Sequence, residues 1–150
     1  MEKTRKNLKT TSIVVLALAG LSLINIIFEL FFGEFKEAAN NATLPDGSPD
    51  NIILITQIFV LVISVLLLLP QVYIGIKGIK IAKNPDSSKS HIVWGIILIV
   101  LTASGLITPF LGIIQGNDIF ANVAEFCSIL VDVSILLGYV SYAINVRKAI

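Results

Sequence analysis

Charge, histidine and cysteine are scarce in this chain of 150 residues: 14% are charged, and there is one Cys, one His and one Trp. Each scarcity closes off a class of chemistry. The single thiol, Cys127, excludes an intramolecular disulfide and any C-x-x-C redox pair, and reads as inert and buried. The single imidazole, His91, has no neighbouring ligand at metal-binding spacing and reads as a residue near a helix cap. There is no H-E-x-x-H, no G-x-S-x-G and no phosphate-cradling glycine loop. A net charge of +1 offers no field to attract nucleic acid. The expectation is a non-enzymatic protein with no cofactor, no metal and no nucleic-acid partner.

Apolar residues are what the chain has in abundance, at 55% with a mean hydropathy of +0.90, far outside the range of water-soluble domains. They fall into four runs near the length that crosses a bilayer, about 20 residues each. The expected architecture is an all-α integral membrane protein, a single domain over residues 1–150. It consists of four transmembrane helices in an antiparallel bundle, with spans at 11–33, 52–76, 91–114 and 119–145. An outer loop covers 34–51 and a cytoplasmic loop 77–90. The first run is too long for the apolar part of a cleaved signal peptide, so it reads as a retained helix.

Local signals set the ends. Pro45-Asp46-Gly47 marks a turn, and Ser48-Pro49-Asp50 reads as an N-cap, an N1 proline and an early acid. Pro70 predicts a kink in the second span, Asn84-Pro85-Asp86 stops that helix, and Ser87, Ser88 or Ser90 caps the next. Only Gln115 to Asp118 separate the last two spans, with Asn117 or Asp118 as the cap. Ten of the 11 basic residues (Lys3, Arg5, Lys6, Lys9, Lys77, Lys80, Lys83, Lys89, Arg147 and Lys148) fall on one side of this layout. By the positive-inside rule both termini are cytoplasmic, and the protein is a multi-pass resident of the cell (cytoplasmic) membrane.

Polar residues inside the spans are few and patterned. Glu125, Ser128, Asp132, Tyr139 and Tyr142 follow spacings of three, four or seven on the last span. Ser22, Asn25 and Glu29 do so on the first, and Gln57, Ser64 and Gln71 on the second. Lipid supplies no hydrogen-bond partner, so these stripes are expected to turn inward and make a polar bundle interior. Asn25, Gln57, Ser64, Gln71 and Ser128 then act between helices. The three acids Asp132, Glu125 and Glu29 are the candidate ion or proton site. Asp132 is the sharpest of them, about 18 Å from either end of its span at 1.5 Å per residue, where a charged side chain costs roughly 2.5–3.5 kcal/mol to insert.

Gly75-Ile76-Lys77-Gly78-Ile79-Lys80, running into Asn84-Pro85-Asp86-Ser87-Ser88-Lys89 and a new apolar helix, resembles the central loop of small, uncharacterised four-span proteins of bacterial cytoplasmic membranes. The likeness covers the second and third spans and implies the same membrane and span number, without an activity. Small multidrug resistance transporters share the size, but their essential acid sits in the inner half of the first helix, where this chain has none. The function expected is that of an accessory or structural subunit acting through helix packing. Its partners are the lipid bilayer and either a second copy or another membrane protein. The alternative is a small oligomeric proton- or cation-coupled transporter or channel that uses Asp132.

Overall fold

The structure is a computed structural model that describes residues 2–32, 51–86, 88–116 and 118–149. The side chains of Glu29 and Gln57 lie outside the described residues, as do Ser87, Asn117 and the outer-loop signals between 34 and 50. Five helices are present: α1 (Glu2–Phe32), α2 (Asn51–Lys83), α3 (Ser90–Ser104), α4 (Ile107–Ile114) and α5 (Ile119–Lys148). Four stretches are long and apolar enough to cross a membrane, and α3 with α4 makes up one of them, Ser90–Ile114.

Residue-by-residue propensity would not have given these helices. The stretch of α2 from Ile52 to Leu69 is crowded with β-branched Ile and Val, which favour strands in water. The helix forms because it pairs nearly all of its backbone N–H and C=O groups within its own segment, the arrangement an apolar solvent would demand, with the carbonyl of Leu66 losing its donor to Pro70. It runs unbroken through Pro70 to Lys83 and stops before Asn84-Pro85, as the sequence signals. Hydroxyls on α1 are disposed of in the same way, by bonding back one turn: Thr10 to the carbonyl of Lys6 at 3.0 Å, Thr11 to Asn7 at 2.8 Å and Ser12 to Leu8 at 2.7 Å. The basic N-terminal segment is itself helical from Glu2, a turn or more earlier than the apolar run required.

The third span departs from expectation. It is two helices, because α3 ends at Ser104 and α4 begins at Ile107. Gly105 and Leu106 take tight 3₁₀-like angles, and their N–H groups bond three residues back, to the carbonyls of Thr102 and Ala103 at 3.1 Å each. Pro109 is the cause, since it has no N–H to give the carbonyl of Gly105 four residues earlier. The carbonyl of Leu101, which loses its usual donor, accepts the Ser104 hydroxyl at 2.7 Å. Caps differ as well. Asp118 caps α5 by accepting the N–H of Ala121 at 3.3 Å, as the sequence indicated. Lys89, not a serine, occupies the cap position of α3 and makes no side-chain cap bond. The hydroxyls of Ser88 and Ser90 pair with each other at 3.1 Å instead.

The chain divides into two compact units, Met1–Leu16 with Pro70–Ile150, and Ala17–Leu69. In the second unit the apolar side chains Leu21, Ile24, Phe28, Ile55 and Phe59 are exposed, as suits an apolar solvent. The first unit holds a tight core of Leu8, Val15, Ile74, Ile81, Ile92, Leu98, Leu136, Tyr139, Val140, Ala143 and Val146. Glycines admit the neighbours to it. A Cβ on Gly75 would lie 2.5 Å from Cγ of Leu16, one on Gly95 2.7 Å from Cγ2 of Val140, and one on Gly78 would strike the Ser12 hydroxyl and lie 2.6 Å from the Tyr139 ring.

The Ser12 hydroxyl is already committed to Leu8, and Tyr139 is fully buried, so neither can retreat. Gly78→Ala is expected to destabilise the protein by about 1–3 kcal/mol through overpacking. Gly138→Ala meets nothing nearer than Tyr142 at 3.9 Å and is expected to be neutral or stabilising. Thermal unfolding in detergent, followed by the fluorescence of Trp94, checks the pair: equal loss in both variants would contradict the Gly78 contact.

Candidate functional site

Polar groups converge within the first unit at the end that carries the basic residues. Tyr139, at 0% exposure, donates its hydroxyl to the carbonyl of Ile74 at 3.0 Å, tying α5 to α2. His91 stands edge-on to the Tyr139 ring, with centroids 6.3 Å apart, and is 1% exposed. Neither ring nitrogen of His91 has a hydrogen-bond partner among the described residues. His91 stands in the first turn of α3, beside the cap position as the sequence indicates, and is also buried in the core. A sequence signal was present: His91 heads a seven-residue repeat continuing through Gly95, Leu98, Thr102, Gly105, Pro109 and Gly112, which is the face of α3 and α4 toward α5.

Above this core, the link between α2 and α3 is pinned by short bonds. Lys77 Nζ meets Asp86 Oδ2 at 2.9 Å, Asp86 Oδ1 accepts the N–H of Ser88 at 2.9 Å, and the Tyr73 and Ser90 hydroxyls pair at 2.6 Å. The Lys77 ammonium, and after it the Ser88 N–H, hold the Asp86 carboxyl below the ordinary carboxylate range. His91 faces charge from three directions, namely Asp86 in the link, Lys77 on α2 and Arg147 on α5.

The candidate residues on α5 are graded along its length. Glu125 and Ser128 are exposed, Asp132 is half-buried and Tyr139, seven residues further, is fully buried. Asp132 makes no hydrogen bond or ion pair among the described residues. Cys127, expected to be buried, is exposed. On α2, Ser64 and Gln71 are half-buried, and the side-chain oxygen of Gln71 is buried without a partner among the described residues. Asn25 on α1 is exposed. Glu29 and Gln57 lie outside the described side chains; Asp132, Glu125 and Ser128 share one helix. Among the described residues no three of His, Cys, Asp and Glu are grouped to hold a metal ion. No protein-family model, curated protein or solved structure matches the chain.

The Asp86 carboxyl, depressed in the folded state, contributes stability that is present above its unfolded value of about 3.9 and is lost as pH falls through the folded value. Asp86→Asn is expected to unfold at a slightly lower temperature than the parent at pH 7, with the gap closing below about pH 4. A gap independent of pH would contradict the charge pairing.

Proposed function

We propose that the chain is an integral protein of the cytoplasmic membrane, four antiparallel spans with both termini cytoplasmic, acting without catalysis as an accessory or structural subunit. Its partner is a second copy or another membrane protein. The observation that carries the reading is the outward surface of the last two spans. Only 11% and 17% of the most apolar windows of Ser90–Ile114 and Ile119–Lys148 are buried, and the exposed surface includes Glu125 and Ser128. Lipid covers the apolar part of such a surface but offers a carboxyl group no hydrogen bond, whereas a neighbouring helix can. Paired positions support the antiparallel layout: Gly95 meets Val140, Gly105 meets Ile129 and Gly112 meets Asn122, so numbers rise on one span as they fall on the other. The one-sided distribution of basic residues supports the orientation.

A second reading, a proton- or cation-coupled transporter or channel, is favoured by one observation, the half-buried Asp132 with no ion pair among the described residues. Asn keeps the shape and hydrogen bonding of a protonated Asp but can neither carry charge nor release a proton.

Orientation is tested in a Cys127→Ser background, with single cysteines at Gly47 and Ser88 exposed to a membrane-impermeant thiol reagent on intact cells. Gly47→Cys is expected to label and Ser88→Cys to stay silent until lysis; the reverse contradicts the orientation. Function is tested in native-lipid nanodiscs and liposomes. The subunit reading expects a complex larger than one chain that Glu125→Leu weakens, and no ion flux. Flux that Asp132→Asn abolishes replaces it with the transport reading, and a lone, non-conducting chain contradicts both.

A further inference from the structure

Within the first unit, α1, α2, α3 and α5 each carry a stripe of exposed side chains, largely apolar, and at one end every such stripe runs into lysine. On α2 the exposed Val72 and Ile76 lead, at spacings of three and four, to Lys80 and Lys83, both exposed. On α3 the exposed Val100, Ile96 and Val93 lead back at the same spacings to the exposed Lys89 at the cap position. On α5 the exposed Leu130, Leu137 and Ser141 lead to Lys148, and on α1 the exposed Ile13 and Thr10 lead back to Lys6 and Lys3. The four helix ends are held together, because Leu8, Ile81, Ile92 and Val146, each within three residues of one of these lysines, share one buried core. Arg5, Lys77 and Arg147 are by contrast half-buried, and Lys77 is held by Asp86. None of the six exposed lysines makes an ion pair among the described residues. The opposite end differs: the exposed Phe110, Leu111 and Ile114 run into Gln115, Gly116 and Asp118, with no basic residue.

We propose that Lys3, Lys6, Lys80, Lys83, Lys89 and Lys148 form a docking surface for phospholipid headgroups of net negative charge, in the same bilayer as the apolar stripes. The inference rests on the membrane reading above. A lysine at the end of an exposed apolar stripe lays its methylenes along that surface and holds its ammonium where the hydrocarbon stops and the phosphates begin. A zwitterionic headgroup brings its own ammonium with its phosphate, so unpaired lysines attract it far less than an anionic one. An acidic soluble protein would meet these ammonium groups distributed around the rim, on the outward side of each helix. Lipid encircles the unit and meets all of them.

Trp94, the one tryptophan of the chain, is placed to report the contact. It is exposed and one turn beyond Ser90, whose hydroxyl pairs with that of Tyr73, and Tyr73 shares a face of α2 with Lys80. The test reconstitutes the full chain into phosphatidylcholine bilayers containing an equal mole fraction of bromine-tailed phosphatidylcholine or bromine-tailed phosphatidylglycerol, both of which quench tryptophan on contact. The parent is expected to favour phosphatidylglycerol about fivefold at low salt. That preference is expected to fall toward unity in roughly 1 M salt, where charges are screened beyond about 3 Å. Lys80→Gln, Lys83→Gln and Lys89→Gln combined are expected to abolish it at low salt, while quenching by phosphatidylcholine stays at the parent value and shows the fold intact. Equal quenching of the parent by the two lipids overturns the lipid surface and leaves the lysines to an acidic soluble partner, and a preference retained in the triple variant overturns it as well. Should the triple variant fail to insert, an undiminished preference in Lys89→Gln alone overturns it. Quenching by neither lipid places Trp94 outside a bilayer and overturns the membrane reading along with the surface.

Discussion

Four helical stretches long and apolar enough to cross a membrane would meet a solvent there that offers no hydrogen bonds, and that one constraint accounts for how their polar groups are disposed. The β-branched stretch of α2 is helical because a helix pairs most of its backbone groups within itself. Ser12, Thr10 and Thr11 turn their hydroxyls onto their own helix, and Tyr139 finds the carbonyl of Ile74. Where Pro109 breaks the pattern, Ser104 repairs one carbonyl and leaves that of Gly105 open. Groups that escape repair are more widely spread: the His91 nitrogens and the Gln71 side-chain oxygen are buried without a partner among the described residues, and Asp132 is half-buried without one.

Tight glycine contacts concentrate where basic residues crowd, at the Ser12, Gly75, Gly78 and Gly95 junction around Tyr139. Packing in lipid gains little from the hydrophobic effect and depends on close approach, which glycine permits. Along α5, burial declines from Tyr139 through Asp132 to Glu125. One end of that helix is locked into its own chain, while the other presents polar groups outward.

Much of this was legible in the sequence. The helices ended where Asn84-Pro85 and Asp118 said they should, because proline and cap chemistry act locally. The stripe on α5 was legible as spacing, though not its gradient of burial, which depends on what packs beside it. The place of His91 beside the cap of α3 was legible but not its burial, because an imidazole at the start of a span is as compatible with an interface as with a core; only the repeat from His91 to Gly112 distinguishes the two. The break at Gly105 was not legible because the residue that causes it, Pro109, stands four positions further along. The register of α3 and α4 against α5, set by Gly95 with Val140, Gly105 with Ile129 and Gly112 with Asn122, could not come from spacing within one helix.

That register underlies the packing of the last two spans and the placement of Asp132 alike. Disulfide formation tests it directly, in a Cys127→Ser background with paired cysteines in membranes under mild oxidation. Leu98→Cys with Leu136→Cys is expected to crosslink within one chain, and Leu98→Cys with Leu137→Cys, whose second position points outward at 53% exposure, to remain reduced. Crosslinking of the second pair in preference to the first would contradict the register and, with it, the antiparallel layout proposed for the last two spans.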